Sequence, residues 1–275
     1  MHDAAMTQHR QDTYQLLKAL AEKSPPSALD IHHRLNDPAA TARYVVTLDD
    51  LRADFSRQSI HDDVWDTLID WGHNMLAQRD AMLAGAVVNP SENRPALHTW
   101  LRDPAQDMAK DNVATMAAMA ERILAQGVED VIAIGIGGSY LGPALVVEAL
   151  SPFQQGPDIH FVSNIDPSHL DDVLAGLNPV TTAVIGISKT FTTLETCINL
   201  EEARCWLDRS GVPSSDRCFA VTSAMDKAED AGIHKDNILK MDDGIGGRFS
   251  LWSAVGLPIM VAQGETSFVD MLAGA

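Results

Sequence analysis

The segment "AVIGISKTFTTLET", residues 183–196, places hydroxyl side chains and one lysine directly after an apolar run. Residues 188–196 hold five hydroxyl groups, whereas a helix cap needs only one. Hydroxyl groups and free backbone amides donate hydrogen bonds to an anion such as phosphate while adding little fixed charge. The segment predicts a site for such a ligand, with hydroxyl donors from Ser188, Thr190, Thr192 and Thr193. The plainer alternative is one threonine as an N-cap among ordinary strand-end residues.

A glycine-rich segment, "GIGGSYLGP" at residues 135–143, follows another apolar run. Its glycines permit a tight turn and a close approach of the backbone to a ligand, and Pro143 suits the first turn of a helix. Backbone amides and a helix N-terminus would then favour an anion, and Ser139 would add a hydroxyl group. The spacing is equally compatible with a turn that only packs a helix on a sheet.

Three known patterns do not fit this glycine segment. The dinucleotide fingerprint GxGxxG requires glycine where Tyr140 stands, and the nucleotide P-loop requires lysine where Pro143 stands. The hydrolase elbow GxSxG requires glycine where Leu141 stands. The sequence therefore argues against these three kinds of site.

A third segment, "DDGIGGRFSLWSAVGLPIMVAQG", places Arg248 between a glycine turn and an almost wholly apolar stretch. The apolar stretch predicts a buried helix that begins near Ser250 and runs to about Gly264. Arg248 would then lie at the ligand-binding edge of a sheet. The alternative is a structural ion pair with one of the preceding aspartates, residues 242 and 243.

Short apolar runs alternate with helical segments from about residue 130 onward, as in "DVIAIGI", "HFVSN", "TAVIGIS", "RCFAVTS" and "NILKM". This alternation predicts an α/β fold with a parallel sheet covered on both faces, in which ligands bind beyond the carboxyl ends of the strands. The earlier residues show mostly helical periodicity. We therefore predict a helical N-terminal region at 1–105 and an α/β domain at 106–275.

Composition narrows the function classes. The 275 residues carry a net charge of -18, which argues against broad nucleic-acid binding. Three cysteines without CxxC spacing predict reduced thiols, and the ten histidines show no metal-binding spacing. No signal peptide and no membrane span are apparent, so we expect a cytoplasmic protein.

Six segments resemble the glucose-6-phosphate isomerase (phosphoglucose isomerase) family in order and spacing. They are "LRADFSRQSI", "NPSENRPALHTWLR", "IGIGGSYLGP", "SNIDPSHL", "SKTFTTLET" and "GGRFSLWSAVGLP". The resemblance implies a sugar-isomerase-type (SIS-type) three-layer αβα domain preceded by helices. It also implies interconversion of glucose 6-phosphate and fructose 6-phosphate by a homodimer without metal or organic cofactor.

The resemblance also implies roles for individual residues. The family's arginine that stabilises the enediolate corresponds to Arg248. Its sugar-phosphate pocket corresponds to Gly138, Ser139, Ser188, Lys189, Thr190 and Thr193. Two positions depart from the family pattern, since Tyr140 and Leu194 stand where Asp and Gln are common, and we expect both at the rim of the pocket.

The family's catalytic glutamate, ring-opening histidine and C-terminal lysine lie in a later segment that has no counterpart in these residues. We therefore expect this sequence to be the N-terminal portion of such an enzyme, with negligible isomerase activity by itself. A non-catalytic module that binds sugar phosphates is the alternative function.

Overall fold

The structure, a computed structural model, describes residues 2–23, 31–89 and 91–275. The chain divides into two units, Met1–Asp80 and Ala81–Ala275.

The described residues of the first unit form four helices and a two-stranded antiparallel hairpin. Their bounds are α1 (His2–Lys23), α2 (Ile31–Asn36), α3 (Pro38–Ala42), β1 (Val45–Leu48), β2 (Leu51–Asp54) and α4 (Asp62–Asn74). A further helix, α5 (Leu76–Leu83), crosses the boundary between the units. The hairpin interrupts the region that the sequence predicts as helical, and its turn holds Asp49 at a positive φ of 48°.

Arg34 organises the first unit. Its guanidinium lies 4.0 Å from the ring centroid of Tyr44 and donates hydrogen bonds to the carbonyl oxygens of Ser56, Gln58 and Ile60. The Tyr44 ring is buried and packs against Trp65 at 5.0 Å between centroids. Burial and the Asp62 hydrogen bond raise the pKa of Tyr44 to about 12. One charged side chain thus supplies hydrogen-bond donors to three carbonyl oxygens of the loop that follows β2.

The second unit is built on a five-stranded parallel sheet. The strands are β3 (Asp130–Ile134), β4 (Asp158–Val162), β5 (Thr182–Ile187), β6 (Cys218–Thr222) and β7 (Ile238–Lys240), in the spatial order β4-β3-β5-β6-β7. All five strands predicted from the apolar runs are confirmed. Their surrounding helices are α6 (Asp107–Leu124), α7 (Gly138–Ala149), α8 (Pro167–Leu174), α9 (Leu194–Arg209), α10 (Ser214–Arg217), α11 (Met225–Asp230) and α12 (Leu257–Gly274).

Both faces of the sheet are covered. Alternate residues of β5 serve two separate apolar cores, with Ile185 facing the core that includes α6 and α12 and Val184 facing the core that includes α9. Burial on both faces explains why all six residues of β5 are buried and why the strands read as continuous apolar runs. The expected α/β fold with helices on both sides of a parallel sheet is confirmed.

The last helix differs from its prediction. Residues from Gly247 to Trp252 and from Ala254 to Gly256 form 3₁₀ turns, and α12 begins at Leu257 instead of near Ser250. The Ser253 hydroxyl accepts a hydrogen bond from the Val255 amide and stabilises this entry. The helix continues to Gly274 across a break at Gly264, where φ is 82°.

Candidate functional site

A small pocket lies at the carboxyl ends of β3 and β5, where the loop after β7 also arrives. Its volume is about 180 Å³. All six residues assigned to the phosphate pocket by resemblance line it: Gly138, Ser139, Ser188, Lys189, Thr190 and Thr193. The remaining lining residues are Ile136, Ile187, Thr196, Met241, Gly247 and Ser250. Segments that are far apart in sequence therefore meet at one point on the sheet edge.

The hydroxyl groups after β5 bond to one another. Ser188 Oγ lies 3.1 Å from Thr193 Oγ1, and Thr190 Oγ1 lies 2.8 Å from Thr192 Oγ1. Thr193 occupies the N-cap position of α9, yet its side chain makes no capping hydrogen bond. The capping explanation for these hydroxyls is therefore not realised. Each hydroxyl can turn its proton toward an anion. The amides of the first helical turn have no acceptor within the helix and can donate to an anion as well.

The backbone of the loop after β5 is held in place by core packing and by hydrogen bonds to the end of β6. Phe191 adopts a positive φ of 49° and buries its ring in the core beside α9. The Lys189 carbonyl accepts hydrogen bonds from Thr222 Oγ1 at 3.1 Å and from the Ser223 amide at 3.0 Å. A strained residue held by packing and by a neighbouring strand end is typical of a loop whose geometry matters for function.

The glycine loop after β3 brings the N-terminus of α7 to the same pocket. Gly137 has a φ of 57°, a conformation that other residues adopt at a cost. A side chain at Gly135 would meet Ser139 Cβ at 2.9 Å and the Ile187 carbonyl oxygen at 3.1 Å. The loop is thus packed tightly between the helix and β5. The packing role predicted for the glycines is therefore realised, and the turn also brings Gly138 and Ser139 to the pocket lining.

Lys189 connects two walls of the pocket. Its Nζ donates hydrogen bonds to the carbonyl oxygens of Asp243 at 2.7 Å and Ile245 at 2.8 Å, both in the loop after β7. Burial lowers the pKa of Lys189, and the charge of Arg94 lowers it further. The ammonium therefore holds the loop after β7 against the loop after β5 while it adds positive charge to the pocket.

The loop after β7 is also held from the other side. The His98 ring Nε2 lies 2.9 Å from the Gly246 carbonyl oxygen and 3.2 Å from its amide nitrogen, and the Leu97 amide donates to Gly244 O at 3.0 Å. The backbone of Arg248 lies in the turn from Gly247 to Trp252, whereas its side chain lies outside the described part of the chain.

Ser250 ties this turn to the glycine loop. Its hydroxyl donates to the Gly247 carbonyl at 2.6 Å and lies 3.4 Å from that of Gly138. A side chain added at Gly142 would meet Leu251 Cβ at 2.9 Å, so α7 and the turn are in close contact.

Sequence reasoning missed the structural parts of His98 and Ser250. The histidine spacing gave His98 no role, and Ser250 was predicted as a helix start, because their partners lie far away or in an irregular turn. Tyr140 and Leu194 are absent from the described lining of the pocket. The Tyr140 ring packs edge-on against Phe161 at 5.8 Å, and the Leu194 side chain is exposed.

Within the described ranges, no helix is long and apolar enough to cross a membrane. The same residues contain no group of three His, Cys, Asp or Glu side chains placed to hold a metal ion.

The parallel sheet, its two helical layers and the hydroxyl-rich pocket define a sugar-isomerase type of α/β protein. A family model described as phosphoglucose isomerase matches residues 54–275. The chain belongs to the phosphoglucose isomerase family.

Individual relatives agree with this assignment. Glucose-6-phosphate isomerase of Xanthobacter autotrophicus is 40% identical over 98% of this chain and 54% of its own length. That of a Ruegeria species is 39% identical over 85% of this chain and 48% of its own length. The crystal structure of the Chlamydia trachomatis enzyme superposes with a TM-score of 0.75 at 26% identity, over 96% of this chain and 54% of that one. The chain spans about half the length of the curated relatives it matches.

Proposed function

We propose that this chain forms the phosphate-binding part of an isomerase site that interconverts D-glucose 6-phosphate and D-fructose 6-phosphate. The reaction is a cytoplasmic step of glycolysis and gluconeogenesis and passes through a cis-enediol. One observation carries the proposal: the six residues assigned to phosphate by resemblance line a single pocket at the sheet edge. Membership of the phosphoglucose isomerase family supports the same substrate.

The chemistry assigns different tasks to the walls of the pocket. Aldose–ketose isomerisation moves a proton between C2 and C1, and it needs a base, an acid that opens the ring and a positive group for the developing oxyanion. Arg248 is our candidate for the positive group, because it directly follows Gly247 in the pocket lining. The hydroxyls and amides bind the distant phosphate and so position the reacting carbons.

The location of the catalytic base decides whether this chain can catalyse the reaction or only bind the substrate. Among the described lining residues of the pocket, no side chain is a carboxylate. We propose that the base belongs to a part of the enzyme outside these 275 residues. The same observation favours the second candidate for the isolated chain, a module that binds sugar phosphates without converting them.

Calorimetry and a coupled isomerase assay on the purified chain test both parts. We expect binding of glucose 6-phosphate and fructose 6-phosphate, no binding of glucose, and negligible turnover. Equal binding of glucose would contradict recognition of the phosphate group by the pocket. Robust turnover would show that the base lies within the chain.

We further propose that the complete enzyme is a homodimer, on the basis of the family resemblance. Sedimentation of the complete enzyme measures this directly, and a monomer at assay concentrations would contradict it.

A further inference from the structure

Thr196 is a pocket residue whose hydroxyl has no hydrogen-bond partner among the described residues. It lies in the first turn of α9, lines the pocket and is only 2% exposed. Its Oγ1 is closed off from solvent and, among the described residues, has no hydrogen-bond partner. The sequence pattern counts it among the five hydroxyls of residues 188–196 but assigns it no role.

An unpaired buried hydroxyl is unusual and needs a physical reason. A threonine within a helix ordinarily gives its proton to a carbonyl one turn earlier, and Thr196 does not. Valine has the same shape and would fill this position without leaving a polar atom unpaired. Thr182 illustrates the usual arrangement, since it is fully buried and its Oγ1 donates to the Asn178 carbonyl at 2.7 Å.

The surroundings of Thr196 indicate what its hydroxyl serves. The pocket lining includes Ser188 and Thr193, whose hydroxyls bond to each other, and Lys189 supplies a positive charge. No carboxylate occurs among the described lining residues. Hydroxyl donors, one cation and a helix N-terminus together favour an anion with several oxygens.

We propose that Thr196 is a further phosphate-binding residue, whose hydroxyl donates a hydrogen bond to a phosphate oxygen at the floor of the pocket. This rests on the proposed function and adds a donor from within α9 to those of the preceding loop. Because Oγ1 is closed off from solvent in this structure, the side chain must turn about χ1 to reach an anion in the pocket, between the two rotamers that threonine uses in helices. The unpaired hydroxyl is then satisfied only in the complex.

Three variants of the full 275-residue chain test the proposal by calorimetry with glucose 6-phosphate and inorganic phosphate. Thr196→Val removes the hydroxyl and keeps the shape, and we expect its affinity for both ligands to fall by roughly 10- to 100-fold, as for a hydrogen bond to a charged group. Thr196→Ser keeps the hydroxyl and should stay within about 3-fold of the unchanged chain. Thr196→Ala replaces the valine variant if the latter does not fold.

Thermal unfolding without ligand separates a binding role from a structural one. Thr196→Val should unfold at the same or a higher temperature, because it removes an unsatisfied polar atom. The matched control Thr182→Val should unfold at a lower temperature and bind both ligands with unchanged affinity, since it breaks a buried hydrogen bond at the other end of β5.

The outcomes are distinguishable. Unchanged affinity of Thr196→Val, or a lower unfolding temperature for it without ligand, would overturn the proposal for Thr196 while the proposed function stands. Absence of binding by the unchanged chain would overturn both.

Discussion

The two ends of β5 both carry hydroxyl side chains, and they use them in opposite ways. At the amino end, Thr181 and Thr182 both donate to the Asn178 carbonyl, at 3.5 Å and 2.7 Å. At the carboxyl end, Ser188 and Thr193 pair with each other, and Thr196 pairs with nothing among the described residues. Hydroxyls of the first kind stabilise the fold, and those of the second kind are available to a ligand.

The comparison shows why residue type alone does not reveal a site. A threonine at a strand end is ordinarily satisfied by a nearby carbonyl, and the amino end of β5 follows this rule. The carboxyl end departs from it because the Lys189 carbonyl is already taken by hydroxyls from the end of β6 and because Thr193 leaves its capping bond unmade. The pocket is therefore distinguished by hydroxyl groups after β5 that, within the described residues, do not donate to backbone carbonyls.

The largest effect should come from removing two of these hydroxyls. We expect Ser188→Ala combined with Thr190→Ala to weaken glucose 6-phosphate binding by roughly 100-fold or more, because two hydrogen bonds to a charged ligand are lost. The thermal unfolding temperature should change little, because the bonds that these hydroxyls make within the described residues are to other hydroxyls. Calorimetry and thermal unfolding measure the two quantities.

The matched control is the equivalent pair at the amino end. Thr181→Ala combined with Thr182→Ala should lower the unfolding temperature and leave affinity within about 2-fold, since both hydroxyls serve the Asn178 carbonyl. If both double variants bind alike, the two ends of β5 do not differ in function.

Sequence patterns predicted the sheet well because its strands are buried on both faces. Short apolar runs rich in β-branched residues that alternate with helical segments favour strands buried on both faces, and β5 is wholly buried. The rule that ligands bind at the carboxyl ends of parallel strands then selected the edge of the sheet at which the pocket lies. The grouping of Ser188 with Gly138 in one pocket follows from that rule and from the parallel order of β3 and β5.

What sequence reasoning missed depends on irregular backbone and on distant contacts. His98 meets Gly246 across 148 residues, and no local pattern encodes such a contact. The helix predicted to start near Ser250 begins at Leu257, and Pro258 in its first turn was the available signal. The hairpin at β1 and β2 was hidden because its strands are short and exposed instead of regularly alternating.

A smaller effect should come from Lys189, which acts on the loop after β7 as well as on the pocket charge. We expect Lys189→Met to weaken glucose 6-phosphate binding by roughly 10-fold, because two bonds from Nζ to loop carbonyls and one cation are lost. Amide hydrogen exchange in residues 242–247 should become faster, since the loop loses its anchor.

Lys227 supplies the control for this lysine. Its Nζ is exposed and lies 3.4 Å from the Thr190 carbonyl oxygen. Lys227→Met therefore removes a nearby positive charge but leaves the bonds from Lys189 to the loop after β7 intact. We expect affinity within about 2-fold and unchanged exchange in residues 242–247. An equal loss of affinity in both variants would assign the effect to general charge and not to the loop.

The smallest effect should come from the titration of Lys189, which should make the stability rise and the affinity for glucose 6-phosphate fall as the pH increases. The pKa of Lys189 is lowered by burial and by Arg94, so the folded chain holds this proton less tightly than the unfolded chain does. As the pH rises through the lowered pKa toward the ordinary value of about 10.4, the contribution of Lys189 to the free energy of unfolding therefore rises. Over the same range its ammonium is lost, and the affinity for glucose 6-phosphate should fall a few-fold.

The difference between the unchanged chain and Lys189→Met isolates this group from every other residue that titrates in the alkaline range. Thermal unfolding and calorimetry between about pH 8 and pH 10.5 should show stability rising and affinity falling in the unchanged chain relative to the variant. Parallel curves for the two proteins would mean that Lys189 keeps its charge throughout. Lys189 would then contribute to the pocket through its two hydrogen bonds to loop carbonyls and a permanent charge. In that case it would resemble Thr182, whose hydroxyl is committed to a backbone carbonyl, more than Ser188, whose hydroxyl bonds to the hydroxyl of Thr193.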